Sequence, residues 1–417
     1  MAASHESFYE LGDVIYEGKP FMRAIRKDLW GEICTNCLRR TSDLKFCKGC
    51  GIMKYCSKTC QKADWCYHKF ECSLLKRCSD DQHLSTSVLI GNVIMKMQKA
   101  NWKPSSEKIL NETVTFDNLR TLRRERSINS IFGIALESIK NSLNVYIGEK
   151  NIPDDKLLRS LIGKVLCNQV VYGHDQAVSA MFIGLSRFNI SCIPNCDASV
   201  SNHILSVRCM KKIKKNGGKF SINISPLITS FNLNLECSEV EIMCNNRDPC
   251  SYCQMPYGTS PLTEVLDMAN AGSVIMESED TLQLANYLLR LDYPLGVISQ
   301  LKLRQLLQKQ KGILGNTNIL RIRTLVLKCL MLNGPIMEMR EDLLELADLV
   351  KTVWGPNFRE LLPIYAKLMD TNLRLGEPFV ASVFERECNR LREFFLPIDE
   401  SHGLFNAVFA QMFGYHR

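Results

Sequence analysis

The sequence predicts an α+β, multidomain protein, with a β-rich centre, a small cysteine-rich module near the N-terminus and an all-α C-terminal part. Three observations support this prediction. Eight cysteine and histidine residues recur at short spacings between positions 34 and 72. Residues 204–209 alternate between apolar and polar side chains, as a half-buried strand does. Residues 259–417 repeat apolar side chains with the period of a helix.

The composition is that of a globular protein of 417 residues, 46% hydrophobic and 23% charged, with room for two to four domains. The formal net charge of +8 permits acidic or nucleic-acid partners without arguing for them. No stretch reaches the roughly 18 apolar residues that span a membrane, so we expect no membrane partner and no signal peptide. The 19 cysteines therefore predict metal binding in the reducing cytoplasm or nucleus rather than disulfides.

The cysteine-rich module has the spacing of two structural zinc sites. Each short pair, such as C-x2-C, lets two thiolates reach one tetrahedral zinc ion at about 2.3 Å. A module of about 45 residues buries too little apolar surface to fold alone, so zinc is expected to supply much of its stability. Cys66 and Cys78 lie outside the spacing and are expected to bind no metal. The eight candidate ligands are Cys34, Cys37, Cys47, Cys50, Cys56, Cys60, His68 and Cys72.

With Tyr55, Gln61 and Trp65 between its ligands, this string resembles a MYND zinc finger. The resemblance implies interleaved ligand pairs and protein partners, often proline-rich peptides. Lysines at 45, 48, 54, 58, 62 and 69 are either simply solvated or form a face for an acidic partner or DNA. The implied sets are Cys34, Cys37, Cys56 and Cys60 for one zinc ion and Cys47, Cys50, His68 and Cys72 for the other.

A second group of motifs lies between residues 164 and 258. It includes the stretch FNISCIPNC at 188–196 and the pair Cys250-x2-Cys253, which has metal-knuckle spacing. Asn216-Gly217-Gly218 predicts a turn that joins strand 204–209 to a return strand at 219–224. The lysines of segment 211–215 are interpreted as protecting the edge of this hairpin, with a nuclear localisation signal as the alternative.

These motifs resemble the SET domain of the SET-and-MYND family of protein-lysine methyltransferases. The family motif N-H-S-C-x-P-N corresponds to residues 189–195, with Ile190 in place of histidine. The resemblance implies a β-rich SET domain split by a MYND zinc finger and a helical insert, plus an all-α tetratricopeptide-like C-terminal domain. The expected boundaries are 1–30 for a partial N-terminal SET segment, 31–75 for the finger, 76–163 for the helical insert, 164–236 for the SET core, 237–258 for the post-SET cysteine region and 259–417 for the C-terminal domain.

The same resemblance implies two further sites. S-adenosylmethionine would contact Asn168, Ser186, Asn189 and Ile190. A third zinc ion would be held by Cys192, Asp248, Cys250 and Cys253. Cys244 is an alternative to Asp248 as a ligand, and a loop of free thiols is the alternative to this third zinc site.

Several positions depart from the family's catalytic pattern. The side chain of Ile190 can neither donate nor accept a hydrogen bond. Ile224 and Cys244 stand where the family has catalytic tyrosines, and Asn246 where an aromatic ring would stack on adenine. Residues 1–8 contain no glycine, so we expect the glycine-bearing cofactor loop to be absent, through loss or a shortened chain. Because each lost donor typically costs about 10²–10³ in rate, no catalytic residue is assigned.

The segments on either side of the SET core predict helices. In the insert, the charged stretch at 120–126 is interpreted as a solvated helix face. In the C-terminal part, 341–354 places its apolar side chains on one face and ends at Gly355-Pro356. A later helix would bury Val380, Val383, Phe384 and Leu391. Stacked helix pairs of this kind form a concave face that binds a peptide or walls off a cleft.

Two functional hypotheses follow. In the first, the chain is a divergent SET-MYND zinc-binding protein that acts mainly through protein interactions, in chromatin or transcriptional regulation, with methyltransferase activity weak or lost. In the second, it is an active S-adenosylmethionine-dependent N-methyltransferase whose substrate is a histone or another lysine-bearing protein.

Overall fold

The computed structural model describes residues 7–77, 85–103, 105–121, 131–173, 177–216, 218–222, 255, 258–290, 298–330 and 335–395. Within these ranges the chain forms fourteen short strands and ten α-helices. The strands are β1 Phe8–Tyr9, β2 Val14–Gly18, β3 Met22–Ile25, β4 Lys45–Phe46, β5 Lys54–Tyr55, β6 Ser106–Ile109, β7 Glu112–Thr115, β8 Gln169–Tyr172, β9 Val178–Met181, β10 Asn189–Ile190, β11 Cys196–Ser201, β12 Ile204–Cys209, β13 Ile213–Lys214 and β14 Ser221–Ile222. The helices are α1 Lys58–His68, α2 Ser85–Lys99, α3 Ile131–Tyr146, α4 Asp155–Asn168, α5 Ala271–Arg290, α6 Gln300–Gln310, α7 Ile319–Leu330, α8 Ile336–Trp354, α9 Leu361–Arg374 and α10 Pro378–Phe394.

The α+β architecture expected from the sequence is confirmed, and its centre consists of two small antiparallel sheets. One sheet has the order β11-β12-β2 and the other the order β3-β9-β8. In both, a strand before the finger pairs with a strand that lies beyond the insert and more than 150 residues later in the sequence. The finger and the insert are therefore two insertions between strands of one β-rich core.

The strand predicted at 204–209 is confirmed as β12, but its predicted hairpin partner is wrong. β12 pairs with β11 across a turn at Asn202 and His203, whose φ angles of 49° and 63° are both positive. Two such residues form the turn type whose twist matches a β-hairpin, and asparagine tolerates this backbone conformation. Residues 221–222 instead pair in parallel with β10 as β14. The lysine-rich segment flanks β13, which pairs with β1, so it does not lie at the expected hairpin.

Buried apolar side chains form two clusters. The first runs through the two central sheets, the finger and helices α2 to α4, so the finger shares a core with the β-rich centre. The second joins the C-terminal helices and also takes in Cys167, Ile190, Cys192 and Met210 from the centre. The stretch that contains the SET-like motif therefore packs against the C-terminal helices.

The C-terminal helices follow the predicted pattern in α8 and depart from it in α10. Helix α8 buries the expected face and ends at Gly355, whose φ is 93°. In α10 Leu391 is buried as predicted, but Val380 and Val383 are 41% and 44% exposed. The prediction is wrong for these two valines because α10 packs on α9 through the face that carries Ala381, Cys388 and Leu391. Within the described residues, none of the helices combines the length and apolar character that crossing a bilayer requires.

Candidate metal centres and cofactor region

The first candidate metal centre brings together four thiols from three parts of the finger. The Sγ atoms of Cys34, Cys37, Cys56 and Cys60 all lie within 4.8 Å of one another. Cys56 Sγ lies 3.6 Å from Cys37 Sγ and 3.5 Å from Cys60 Sγ. Four sulfur atoms around one zinc ion at about 2.3 Å would be about 3.8 Å apart, so this group has the size of a tetrahedral zinc site.

The second candidate centre consists of three thiols and one imidazole. The ligand atoms of Cys47, Cys50, His68 and Cys72 also lie within 4.8 Å of one another. Cys47 Sγ is 3.8 Å from Cys72 Sγ, and Cys50 Sγ is 3.7 Å from His68 Nε2. The donor types and spacings in both groups therefore fit zinc, in the interleaved arrangement expected from the sequence. Sites with four protein ligands are closed and serve structure rather than catalysis.

Local backbone geometry explains how the second group forms. The amide of Gly51 donates to Cys47 O at 2.8 Å and closes the turn that carries Cys47 and Cys50. A side chain at Gly49 would place its Cβ only 2.9 Å from Cys72 Sγ, so glycine leaves room for the fourth ligand. Helix α1 begins at Ser57, whose Oγ accepts a hydrogen bond from the Cys60 amide at 3.1 Å. This N-cap orients the helix that carries both Cys60 and His68.

The electrostatics of the first centre favour a thiolate at Cys37. Arg39 Nε donates to Cys37 Sγ at 3.5 Å. Although burial opposes ionisation, the hydrogen bond from Arg39 helps to lower the pKa of the Cys37 thiol to about 6. Because zinc binds the thiolate, Cys37 is ready to act as a ligand at neutral pH.

A buried ion pair attaches the finger to the β-rich centre. Arg23 on β3 donates to Asp64 on α1 with an Nη2–Oδ1 distance of 2.5 Å, and both side chains are no more than 3% exposed. Tyr55 donates its hydroxyl to the other carboxylate oxygen of Asp64 at 2.7 Å. The guanidinium group of Arg23 also lies 4.9 Å from the centroid of the Tyr67 ring. The carboxylate of Asp64 is thus the main counter-charge for an arginine that has left water.

The tip of the β11–β12 hairpin makes a second polar contact with the finger. His203 Nε2 donates to the carbonyl oxygen of Asn36, which lies between Cys34 and Cys37. His203 Nδ1 accepts the hydroxyl of Tyr172 at 2.7 Å. Burial and the nearby charge of Arg23 lower the pKa of His203 to about 4. The contact with Tyr172 requires the neutral imidazole, because a protonated Nδ1 cannot accept a hydrogen bond, whereas Nε2 donates to Asn36 in either state.

We expect acidification to weaken the attachment of the finger through His203. The folded pKa lies below the usual value of about 6.5, so the unfolded chain binds the proton more tightly. The contribution of His203 to the free energy of unfolding is therefore fully present above about pH 6.5. It is lost as the pH falls from about 6.5 to about 4, by about 3 kcal/mol at most. Urea unfolding of wild-type protein and His203→Asn at several pH values measures this contribution, because protonation of the zinc ligands is common to both. Identical pH profiles would contradict it.

Asn168 and Ser186, which are predicted to contact the cofactor, both form hydrogen bonds with Arg120. Asn168 is fully buried, and its Nδ2 donates to Arg120 O at 2.8 Å and to Lys164 O at 2.7 Å. Ser186 Oγ accepts from the Arg120 amide at 2.5 Å. The guanidinium group of Arg120 donates to the carbonyl oxygens of Leu185 and Phe188. The interpretation of 120–126 as a solvated face is wrong for Arg120, which is 5% exposed.

The motif residues Asn189 and Ile190 lie on β10, beside β14. Hydrogen bonds from Asn195 support this pairing, because its Oδ1 accepts the Ser221 amide at 2.8 Å and its Nδ2 donates to Lys219 O at 2.8 Å. Ile190 is 3% exposed and belongs to the apolar cluster of the C-terminal helices. The backbone frame of the motif is thus present, while the position of its histidine serves packing.

The described residues do not by themselves form a cradle for S-adenosylmethionine. Ser186 Oγ and Asn168 Nδ2 already bond to Arg120, and the side chain of Ile190 offers no polar atom. Asn168 Oδ1 is a buried acceptor without a hydrogen-bond partner among the described residues, which is the one feature that suits a ligand. A single acceptor leaves the rest of a large polar ligand unpaired. We therefore derive no chemical step through this cofactor.

The third candidate zinc site is only partly within the described residues. Cys192 is 8% exposed and lies in the apolar cluster of the C-terminal helices. Its carbonyl oxygen accepts Trp354 Nε1 at 2.9 Å. Asp248, Cys250 and Cys253 lie outside the described residues, as do Ile224, Cys244 and Asn246.

Comparison with known proteins agrees with these observations. The family model of the MYND finger matches residues 34–72, which hold both candidate zinc centres. Histone-lysine N-methyltransferase SMYD3 of Mus musculus is 28% identical over 49% of this chain and 48% of its own length. N-lysine methyltransferase SMYD2-A of Danio rerio is 24% identical over 55% of each chain. N-lysine methyltransferase SMYD2 of Homo sapiens is 25% identical over 52% of this chain and 50% of its own.

The chain spans about half the length of the curated relatives that it matches. The finger match, the two four-ligand groups and these relatives agree with one another. In the finger and over about half of its length, the chain resembles proteins of the SET and MYND domain-containing family.

Proposed function

We propose that this protein keeps the SET and MYND scaffold to bind other proteins, and that its methyltransferase activity is weak or lost. The observation that carries the proposal is the burial of Ile190 in an apolar cluster with the C-terminal helices. An isoleucine side chain has no donor or acceptor, so at this position it packs two parts of the chain together and cannot orient a polar cofactor by a side-chain hydrogen bond. We propose that these interactions serve the regulation of chromatin or transcription, in the nucleus or the cytoplasm.

The hydrogen bonds of Arg120 support the same proposal. Methyl transfer depends on holding the methyl donor and the lysine amine in line, which contributes roughly 7–11 kcal/mol to lowering a barrier. In this chain the polar groups of Ser186 and Asn168 instead hold Arg120 in place. The Ser186 hydroxyl oxygen and the Asn168 amide nitrogen therefore stabilise the fold, which leaves Asn168 Oδ1 as the group of this pair that a ligand could reach.

The exposed face of the finger is the proposed protein-binding surface. Phe46 and Trp65 are 56% and 48% exposed, and Lys54 Nζ lies 4.5 Å from the centroid of the Phe46 ring. Exposed aromatic rings bind proline-rich peptides in an extended conformation, and the lysines around them would favour acidic flanking residues. Both zinc centres hold this surface in shape.

A third zinc site at Cys192, Asp248, Cys250 and Cys253 remains part of the proposal. Cysteine and aspartate are both established zinc ligands. Metal analysis of the purified chain would then give three zinc ions per molecule rather than two. We also propose the domain boundaries that the sequence analysis gives.

The second candidate function is an active lysine methyltransferase. The names of the relatives favour it, because they describe histone-lysine and N-lysine methyltransferases. It also requires residues outside the described ranges to supply the cofactor contacts that Ile190 and Ser186 do not.

A labelled-methyl assay separates the two functions. Zinc-loaded protein is incubated with tritiated S-adenosylmethionine and core histones, alongside mouse SMYD3 as a positive control. We expect transfer at less than roughly one-hundredth of the control rate, since even one lost donor costs about 10²–10³. Transfer at a rate comparable to that of SMYD3 would overturn the proposal.

A further inference from the structure

The second zinc centre is connected to the helical insert by a chain of buried side chains. His68 Nδ1 and Glu71 Oε1 are 3.0 Å apart. Asn92 on α2 donates its Nδ2 to Glu71 Oε2 at 2.8 Å. Tyr146, the last residue of α3, donates its hydroxyl to Asn92 Oδ1 at 2.6 Å. We call these four residues the His68–Tyr146 relay.

The chemistry of zinc binding gives the first step of this relay its direction. His68 Nε2 faces Cys50 Sγ at 3.7 Å and is the nitrogen placed to bind the metal. The other ring nitrogen, Nδ1, then carries the proton and donates a hydrogen bond to the carboxylate of Glu71. A carboxylate that accepts from a metal-bound histidine fixes the orientation of the ring and makes it a stronger ligand.

In the remaining hydrogen bonds of the relay, each polar group acts as the donor or acceptor that its chemistry allows. A carboxylate only accepts, and Glu71 receives one hydrogen bond on each oxygen, from His68 and from Asn92. The amide of Asn92 donates through Nδ2 and accepts through Oδ1. The relay is therefore internally consistent from the imidazole to the hydroxyl of Tyr146.

Burial makes each link costly to break. The relay residues His68, Glu71, Asn92 and Tyr146 are 0%, 5%, 0% and 1% exposed. Water cannot readily replace a lost partner at such positions, so an unpaired group bears its full desolvation cost. Helices α2 and α3 also meet closely here, since a Cβ on Gly91 would lie 2.6 Å from the Tyr146 ring. The two helices therefore hold Asn92 and Tyr146 in place.

We propose that Glu71, Asn92 and Tyr146 are positioning residues for the second zinc centre, and that this centre and helices α2 and α3 form one cooperative unit. Metal binding at Cys47, Cys50, His68 and Cys72 orders the insert through the relay. In return, the insert sets the lifetime of the metal at this centre. The first centre, which has four thiolates and no imidazole, lies outside this coupling.

The test compares the two centres within one full-length chain. Cobalt(II) replaces zinc, because its visible absorption bands differ between a four-thiolate site and a site with three thiolates and an imidazole. Release of each metal to excess chelator is followed for wild type, Glu71→Gln and Tyr146→Phe. Tyr172→Phe is the matched control, because Tyr172 is also buried and its hydroxyl also hydrogen-bonds, to His203.

We expect Glu71→Gln to release the second metal roughly 10- to 100-fold faster, the usual effect of losing a partner of a metal ligand. Tyr146→Phe keeps the ring and is expected to speed the same release by roughly 2- to 10-fold, the effect of one lost hydrogen bond. The first metal should leave at the wild-type rate in both variants. Tyr172→Phe should leave release from the second centre unchanged.

Hydrogen exchange provides the reciprocal measurement. Cys50→Ser prevents loading of the second centre, and we expect faster amide exchange in α2 and α3 than in wild-type protein. The inference is wrong if Tyr146→Phe behaves like Tyr172→Phe, or if it speeds the release of both metals equally. Unchanged exchange in α2 and α3 when the second centre is empty would also refute it.

Discussion

Replacing Cys50 with serine is expected to remove the zinc ion of the second centre and to destabilise the finger. Cys50 is buried and its Sγ belongs to the second four-ligand group. Structural zinc contributes about 10–16 kcal/mol to modules of this size at neutral pH, far more than the finger's own core can supply. Because the finger shares its apolar cluster with the central sheets, we expect a fall in the melting temperature of the whole centre.

Cys66→Ser is the matched control for this variant. Cys66 lies on helix α1 of the finger, is exposed and belongs to neither ligand group. Elemental analysis and thermal unfolding should both give wild-type values for it. If Cys50→Ser also retained the wild-type zinc content and melting temperature, the assignment of the second centre would be wrong.

A large loss in the free energy of unfolding is also expected from Asp64→Asn. This change leaves the guanidinium group of Arg23 buried without its main counter-charge. Breaking a buried ion pair by removing one partner typically costs about 3–5 kcal/mol. Urea unfolding with zinc in excess measures the loss. Replacing both partners, as in Arg23→Leu with Asp64→Leu, should cost less than the sum of the two single changes, because no charge is left unpaired.

Asp28→Asn provides the comparison at the surface. Asp28 pairs with Arg26 at 2.7 Å, but its side chain is 60% exposed. Exposed pairs contribute about 0–1 kcal/mol, so this variant should be close to wild type. A loss below about 1 kcal/mol for Asp64→Asn would show that the buried pair does not hold the finger to the centre.

The eight ligands of the finger could be predicted from the sequence because zinc chemistry demands particular residues at particular spacings, whereas their division into two sets was implied by the resemblance to MYND fingers. Cysteine pairs such as Cys47 and Cys50 can serve one metal only through a tight turn, and few other structures use this pattern. The strand at 204–209 was equally evident from its alternating side chains. Its partner was not, because the Asn-Gly-Gly signal is only local and the Asn-His turn at 202–203 competed for the same strand.

Residues that act through tertiary contacts escaped prediction. Asp64, Glu71 and Arg120 are charged residues in polar stretches, where solvent exposure is the ordinary expectation. Each is buried because a partner distant in sequence neutralises it or bonds to it, such as Arg23 for Asp64. Val380 and Val383 are the opposite case, because they were expected to be buried and are exposed. Helical periodicity alone does not say which face of a helix packs against another element.

We propose that the SET-like part of this chain serves as a scaffold and does not bind S-adenosylmethionine as an active enzyme does. Calorimetric titration of zinc-loaded, full-length protein with S-adenosylmethionine tests it most directly. Two temperatures are needed, since burial of apolar surface changes the binding heat with temperature. We expect no binding heat at millimolar ligand at either temperature, whereas saturable binding with micromolar affinity would show that this scaffold still holds the cofactor.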